Sequence, residues 1–129
     1  MKVLIVDDSK IVCNGLQQIL SNIAGVDIVI QQAHTGKDAI MSISESKPDV
    51  VILDIRLPDL SGIDVLADIR AKRLSAKVII LTNYPYPQYR KKCEELGADY
   101  FFDKVSEFEE IPILIKELAK NKHKNVKKK

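Results

Sequence analysis

Val50-Val51-Ile52-Leu53-Asp54 is the stretch that says most about this chain. Four apolar residues in a row, three of them β-branched and none alternating with a polar one, suit a strand buried on both faces. Such strands belong to parallel sheets covered by helices. Asp54 ends the run. In an open parallel sheet the chemistry lies just beyond the carboxyl ends of the strands, so Asp54 stands where a reactive group is expected. A single aspartate after a strand more often opens a loop or caps a helix, and only the other strand ends can separate the two readings.

Before this stretch, Lys2 to Val6 is a short apolar run that stops at Asp7-Asp8. Ile11, Val12, Leu16, Ile19, Leu20 and Ile23 then repeat at helical spacing until Gly25. Asp27 to Ala33 reads as a second strand. Thr35, with Asp38 three residues on, forms an acidic capping box ahead of an apolar face of Ala39, Ile40 and Ile43, and Pro48 closes the unit. After the stretch, Leu57-Pro58 lies in a loop, and Ser61 with Asp64 caps a helix striped by Val65, Leu66 and Ile69. Val78 to Leu81 is the fourth strand, ending at Thr82. The prolines of Asn83-Tyr84-Pro85-Tyr86-Pro87 hold off the next helix until about Gln88.

That fourth helix turns only Tyr89, Cys93 and Leu96 inward, with Arg90, Lys91, Lys92, Glu94 and Glu95 outward, and Gly97 stops it. Tyr100 to Phe102 is the fifth strand and runs into Asp103-Lys104. A last helix uses Phe108, Ile111, Leu114, Ile115 and Leu118. Ser106 with Glu109 marks one start for it, and Pro112, at home only in a first turn, marks a later one. Five strand-helix repeats, too few for an eight-unit barrel, predict a doubly wound (βα)5 α/β sandwich of three layers with parallel strand order 2-1-3-4-5.

At 129 residues the chain fits one domain, large enough to bury about two thirds of its unfolded surface without a disulfide or structural metal. Cys13 and Cys93 have no paired spacing and read as small core side chains of a reducing compartment. No signal peptide or membrane span is read in the sequence, so the expected location is cytoplasmic. The net charge of +2 owes itself to six lysines within Lys120–Lys129, and the body is mildly acidic. A domain over 1–120 and a solvated, frayed lysine tail over 121–129 are expected. The tail has no arginine and no aromatic residue for stacking on bases, which argues against specific nucleic-acid binding, and no membrane partner is expected.

In the predicted sheet all five carboxyl ends share one edge. That edge collects Asp7 and Asp8 after strand one, Asp54 after strand three, Thr82 at the end of strand four and Lys104 after strand five. Strands one and three are neighbours in the expected order, and three carboxylates brought together repel unless cations offset them. Lys104 supplies one positive charge. A hard divalent ion supplies another, and Mg²⁺ suits a site with few carboxylates because it keeps several waters and takes further ligands from a phosphate. An acidic cluster that wants a metal, beside a lysine and a hydroxyl able to hold phosphate oxygens, describes phosphoryl transfer.

Asp7-Asp8, Asp54, Thr82 and Lys104, at these strand ends and this spacing, closely resemble the receiver domain of two-component response regulators, of the CheY-like, flavodoxin-like fold. The resemblance spans residues 2 to about 120 and is to the stand-alone, single-domain type. It implies that Asp54 accepts a phosphoryl group from a histidine kinase or histidine phosphotransfer protein. It implies also that Asp7, Asp8, Asp54 and the backbone carbonyl of Arg56 hold Mg²⁺. Lys104 would pair with phosphoryl oxygens, Thr82 would donate to them, and Phe101 falls at the family's switch aromatic. A surface of the fourth helix, fifth strand and fifth helix would then signal to a downstream protein or to a second copy of the chain. Such a domain is a timed switch acting weakly on itself, not a catalyst of external turnover.

Three departures from the family pattern stand out. Val105 replaces the usual proline after Lys104, so the loop aiming the lysine is open to difference. Asn83 is larger than the residue usual after Thr82. Arg56 and Tyr84, each two residues beyond a site residue, border the path of attacking water. Other classes fit less well. A haloacid-dehalogenase phosphatase needs a second aspartate at position nine, which is Ser9. His34-Thr35-Gly36-Lys37 lacks the upstream glycine of a phosphate loop and has Asp38 where Ser or Thr must bind metal. A DNA-binding regulator needs an output domain that the residues after Lys120 do not supply. The remaining rival is a receiver fold that serves as an interaction module independent of phosphorylation.

Overall fold

Five strands, β1 (Lys2–Val6), β2 (Val29–Ala33), β3 (Val50–Leu53), β4 (Lys77–Thr82) and β5 (Tyr100–Asp103), alternate with α1 (Lys10–Ser21), α2 (Gly36–Ser46), α3 (Gly62–Ala71), α4 (Pro87–Glu95) and α5 (Glu110–Lys128). The structure, a computed structural model, describes residues 1–128, with side chains through Lys122. All pairings are parallel and the order is β2-β1-β3-β4-β5, as the strand and helix pattern predicts. The register sets Val6 beside both Ala33 and Leu53, Leu53 beside Ile80, and Thr82 beside Asp103. The carboxyl ends of β1, β3, β4 and β5 therefore meet along one edge.

The uninterrupted apolar run of β3 is explained by its two covered faces. Val51 and Leu53 point to a layer in which Ala39 and Ile43 of α2, Val65, Leu66 and Ile69 of α3, and Cys93 of α4 are buried. Val50 and Ile52 point to the opposite layer, with Cys13, Leu16 and Leu20 of α1 and Ile111, Leu114 and Ile115 of α5. Each side chain of β3 is at most 2% exposed, and burying an Ile, Leu or Val of this kind contributes about 1.5–3 kcal/mol. A polar residue inside β3 would face a dry layer on either side, so the first position free to be an acid is the one after it.

Helix starts follow the local chemistry. Ser9 caps α1 by accepting from Val12 N at 3.3 Å, and Thr35 caps α2 by accepting from Asp38 N at 3.1 Å. At α3 the Ser61 hydroxyl accepts from Ile63 N at 3.1 Å while the Asp64 carboxylate accepts from Ser61 N at 3.2 Å, a complete capping box. α4 has no side-chain cap, begins at Pro87 rather than Gln88, and buries fully only Cys93. α5 begins at Glu110, so the later of the two expected starts is the observed one and Pro112 lies in the first turn.

Some expectations need correction. β2 begins at Val29 rather than Asp27, because the carbonyl of Asp27 is taken by the amino terminus of Met1 at 3.0 Å and ladder bonding starts with Val29 N donating to Met1 O. Ile11 and Ile19 do not join the inward face of α1. Cys13, Leu16 and Leu20 define that face, and Ile11 lies two residues, roughly 200°, round the helix from Cys13, leaving it 86% exposed. The backbone of α5 continues as helix to Lys128. The expected frayed tail over 121–129 falls mostly on side chains that, from 123 on, lie outside the described residues. Among the described residues no helix is long and apolar enough to cross a membrane.

Candidate functional site

Sheet hydrogen bonding carries each site residue to the edge. Asp7 N donates to Ala33 O at 3.2 Å, Asp54 N to Val6 O at 3.0 Å and Lys104 N to Thr82 O at 2.8 Å, so the ladder extends past the apolar parts of the strands. Asp7, Asp54 and Thr82 are buried, and Asp8 is exposed. The Lys104 ammonium donates to Asp7 Oδ2 at 2.6 Å and to Asp54 Oδ2 at 3.0 Å, joining the ends of β1, β3 and β5 in one ion-pair network. The other oxygens are oriented by neighbouring backbone: Asp7 Oδ1 accepts from Ser9 N at 2.9 Å and Asp54 Oδ1 from Ile55 N at 2.7 Å.

One carboxylate oxygen from each of Asp7, Asp8 and Asp54 lies within 4.8 Å of the others. Burial pushes the Asp54 carboxyl above its ordinary value; Lys104 pulls it down, Asp7 pushes it up, and the net displacement is upward. Burial also works against the Lys104 charge, but its bonds to Asp7 and Asp54 outweigh burial and hold the ammonium above its ordinary value. Three carboxylates converge here on a single lysine, so by formal charge the site is left negative. A converging set of hard oxygen donors that carries excess negative charge, with Asp8 opening it to solvent, fits Mg²⁺. Cys13 lies beneath, its thiol donating to Asp7 O at 3.4 Å; burial first, and Asp7 second, push it up to about 11, and burial holds Cys93 at about 11 as well. Both are free, buried thiols, consistent with the expected small buried side chains.

Thr82 is fully buried, and its Oγ1 accepts from Tyr84 N at 3.0 Å. The Arg56 guanidinium carbon stands 4.1 Å from the centre of the Tyr84 ring. The sequence reading placed these two side chains beside the path of water separately and missed that they stack on each other. Phe101 is buried in the α4-side layer, with the Arg90 guanidinium carbon 4.4 Å over its ring. Arg90 is exposed, as expected, and its guanidinium covers that ring from the solvent side. Val105 is exposed, and despite the missing proline the Lys104 side chain reaches both carboxylates.

Gly62 was also missed. A Cβ there would fall 1.9 Å from the Asp54 carbonyl oxygen and 3.0 Å from Ile55 Cα, so only glycine lets the first residue of α3 lie against the backbone that bears Asp54. Its N–H donates to Ile55 O at 2.6 Å. The signal available was a glycine directly after the Ser61 cap, where a better helix former would ordinarily stand.

Five parallel strands in this order, with an acidic cluster and a lysine gathered at their carboxyl edge, define a class of doubly wound domain whose site is made by strand ends rather than by an inserted loop. The family model of the response regulator receiver domain matches residues 3–116, and the chain belongs to that family. A protein named cyclic di-GMP phosphodiesterase from Thermotoga maritima is 35% identical over 122 residues, 95% of this chain and 32% of the relative. Response regulator GacA of Pseudomonas aeruginosa is 29% identical over 92% of this chain and 55% of its own length. The chain thus spans about half, or less, of these curated relatives. Among solved structures, a DNA-binding response regulator of the LuxR family from Staphylococcus aureus superposes with a TM-score of 0.80 at 32% identity, covering 92% of this chain and 98% of that one.

Proposed function

We propose that this chain is a phosphoacceptor switch in which Asp54 takes a phosphoryl group from the phosphohistidine of a sensor kinase or phosphotransfer protein. The observation that carries the reading is the Lys104 ammonium held between Asp7 and Asp54, at 2.6 and 3.0 Å. Asp54 Oδ attacks phosphorus as the histidine N–P bond breaks; an O–P bond forms, and the imidazole keeps the bonding electron pair and takes up a proton. A carboxylate is a weak nucleophile toward an anionic phosphoryl group, so the transfer depends on positive charge already in place. Lys104 brings part of that charge, and its side chain, 10% exposed, is largely shielded from solvent. Asp7, Asp8, Asp54 and the Arg56 carbonyl would hold Mg²⁺, which when bound offsets the remaining charge on the phosphoryl oxygens. Water attacking the acyl phosphate resets the switch, without turnover of an external substrate.

Output in this reading runs through Thr82 and Phe101. The Thr82 hydroxyl turns from Tyr84 N toward the phosphoryl group, Phe101 repacks, and the face made by α4, β5 and α5 changes shape for a downstream protein or a second copy of the chain. Among the described residues α4 is the helix with fewest buried side chains, Cys93 alone, and it has no side-chain cap, and a population shift of this kind needs only about 1–3 kcal/mol of differential interaction. In this reading the receiver domain acts in the cytoplasm without itself binding DNA specifically, and the lysine-rich residues after 120 take no part in the chemistry. Acetyl phosphate with Mg²⁺ should add one acid-labile phosphoryl group to the wild type and none to Asp54→Asn. Thr82→Ala should still be labelled, while amide shifts on adding beryllofluoride no longer reach 87–95 and Phe101. Labelling of Asp54→Asn, or a wild type that stays unlabelled, would overturn the proposal and favour a module that works without phosphorylation.

A further inference from the structure

The loop between β3 and α3 is fastened at its base and also at its tip. At the base, Arg56 and Ser61 form an antiparallel bridge, and Gly62 N donates to Ile55 O beneath Asp54. At the tip, the exposed Asp59 reaches across to a different element. Its Oδ1 accepts from Gly36 N at 2.7 Å and its Oδ2 from Lys37 N at 3.0 Å, the first two N–H groups of α2, while Oδ1 also accepts from Leu60 N at 2.9 Å. Thr35 takes the Asp38 N–H through its side chain, and the first intrahelical bond runs from Ala39 N to the Thr35 carbonyl, so the N–H groups of residues 36, 37 and 38, which the helix itself leaves unpaired, are all satisfied. Two of these three are satisfied by the loop that carries the phosphoacceptor.

Contact at this point is close on the helix side too. A Cβ on Gly36 would lie 2.7 Å from Leu60 Cβ and 3.2 Å from Asp59 Oδ1, so the helix begins with the one residue that lets the loop tip come this near. The bonds from Lys37 N and Gly36 N hold the Asp59 carboxyl below its ordinary value, so the acceptor stays ionised. A negative side chain at a helix start also has the favourable sign against the helix dipole.

We infer that Asp59 is a positioning residue for the phosphoacceptor site: by pinning the β3–α3 loop to the start of α2, it keeps the Asp54 and Arg56 backbone arranged for the metal. Asp59 touches none of the reacting groups. Its effect is on the fraction of molecules whose loop is already in place, and apparent affinity falls in proportion to that fraction. The inference rests on the metal role assigned above to Asp54 and Arg56.

Thr35→Ala provides the control, because Thr35 caps the same helix and has no bond to the loop. Asp59→Ala and Thr35→Ala should both lower the unfolding midpoint. Only Asp59→Ala should weaken Mg²⁺ binding, by about threefold or more, read from amide shifts in a titration with Mg²⁺ alone. Only Asp59→Ala should also speed hydrogen exchange at Leu60 and Gly62. Equal Mg²⁺ affinity in Asp59→Ala and wild type, or equal weakening in Thr35→Ala, would overturn the positioning role and leave the function proposed for Asp54 standing. A wild type that binds no Mg²⁺ would instead remove the metal role, and this inference with it.

Discussion

Asp54 is held in the fold at a cost to stability, which the function proposed for it would explain. Burial raises its pKa in the fold by more than Lys104 can reverse, so its unfolded form, with an ordinary value near 3.8, ionises first as pH rises. From that point up to the raised folded value the native state loses stability, and at neutral pH the charge is a net burden. In Mg²⁺-free buffer, Asp54→Asn should therefore unfold at higher urea than wild type at pH 7, while Lys104 keeps Asp7 as its partner. The gap should close as pH falls toward 4, and urea midpoints across that range check it; a less stable Asp54→Asn at pH 7 would contradict the charge argument. The position of Asp54 was legible because a doubly buried strand leaves an acid no place but its end. Its neighbourhood was not. Arg56 meets Tyr84, and Asp59 meets Gly36, through contacts between loops distant in sequence, and no local pattern of residues encodes such meetings.

Helix starts were legible at α2 and α3, where Thr35 and Ser61 each stand three residues before an aspartate, whereas the Ser9 cap of α1, followed at that spacing by Val12, was missed. Ambiguity arose where two signals competed, as at α5, where Ser106 forms no cap and Pro112 settles the start, or where a signal was one-dimensional, as in the apolar periodicity that enrolled Ile11 on the wrong side of α1. The entry into α3 has a sharper requirement than its capping box. Because a Cβ at position 62 would fall within 1.9 Å of the Asp54 carbonyl oxygen, Gly62→Ala must push either α3 or the Asp54 backbone away. A loss of about 3 kcal/mol is expected, at the upper end for overpacking because the obstacle is backbone and cannot swing aside. Denaturant unfolding measures that loss. Phosphoryl labelling of the variant should fall as well, although residue 62 lends no side chain to the site.

The molecule has two working edges with different tasks. At the edge away from the phosphoacceptor, Asp49 accepts from Lys2 N at 2.8 Å and pairs with Lys122, tying β1 and the approach to β3 to α5. Burial raises the Asp49 carboxyl, but Lys122 and the Lys2 N–H outweigh it and hold the group below 3.8. Its stabilising effect is thus present above pH 3.8 and lost as pH falls through the lower folded value. A chain ending at Lys120 should lose less than about 1 kcal/mol at pH 7, since the pair is exposed. It should differ less from wild type once Asp49 is protonated, and should take up phosphoryl groups as fast as the full chain. Acid titration of both proteins, followed by a labelling time course, tests each part. The opposite edge has a further consequence for how such a protein comes into being. Lys104 is 50 residues from Asp54 and 97 from Asp7, so a ribosome adding roughly 5–20 residues per second releases both aspartates seconds before the lysine that pairs with them. Under the function proposed above, an unfinished chain would have the aspartate and lack the chemistry, and a cell reading the phosphorylated form would hear only from molecules that have been made to the fifth strand and have closed their sheet.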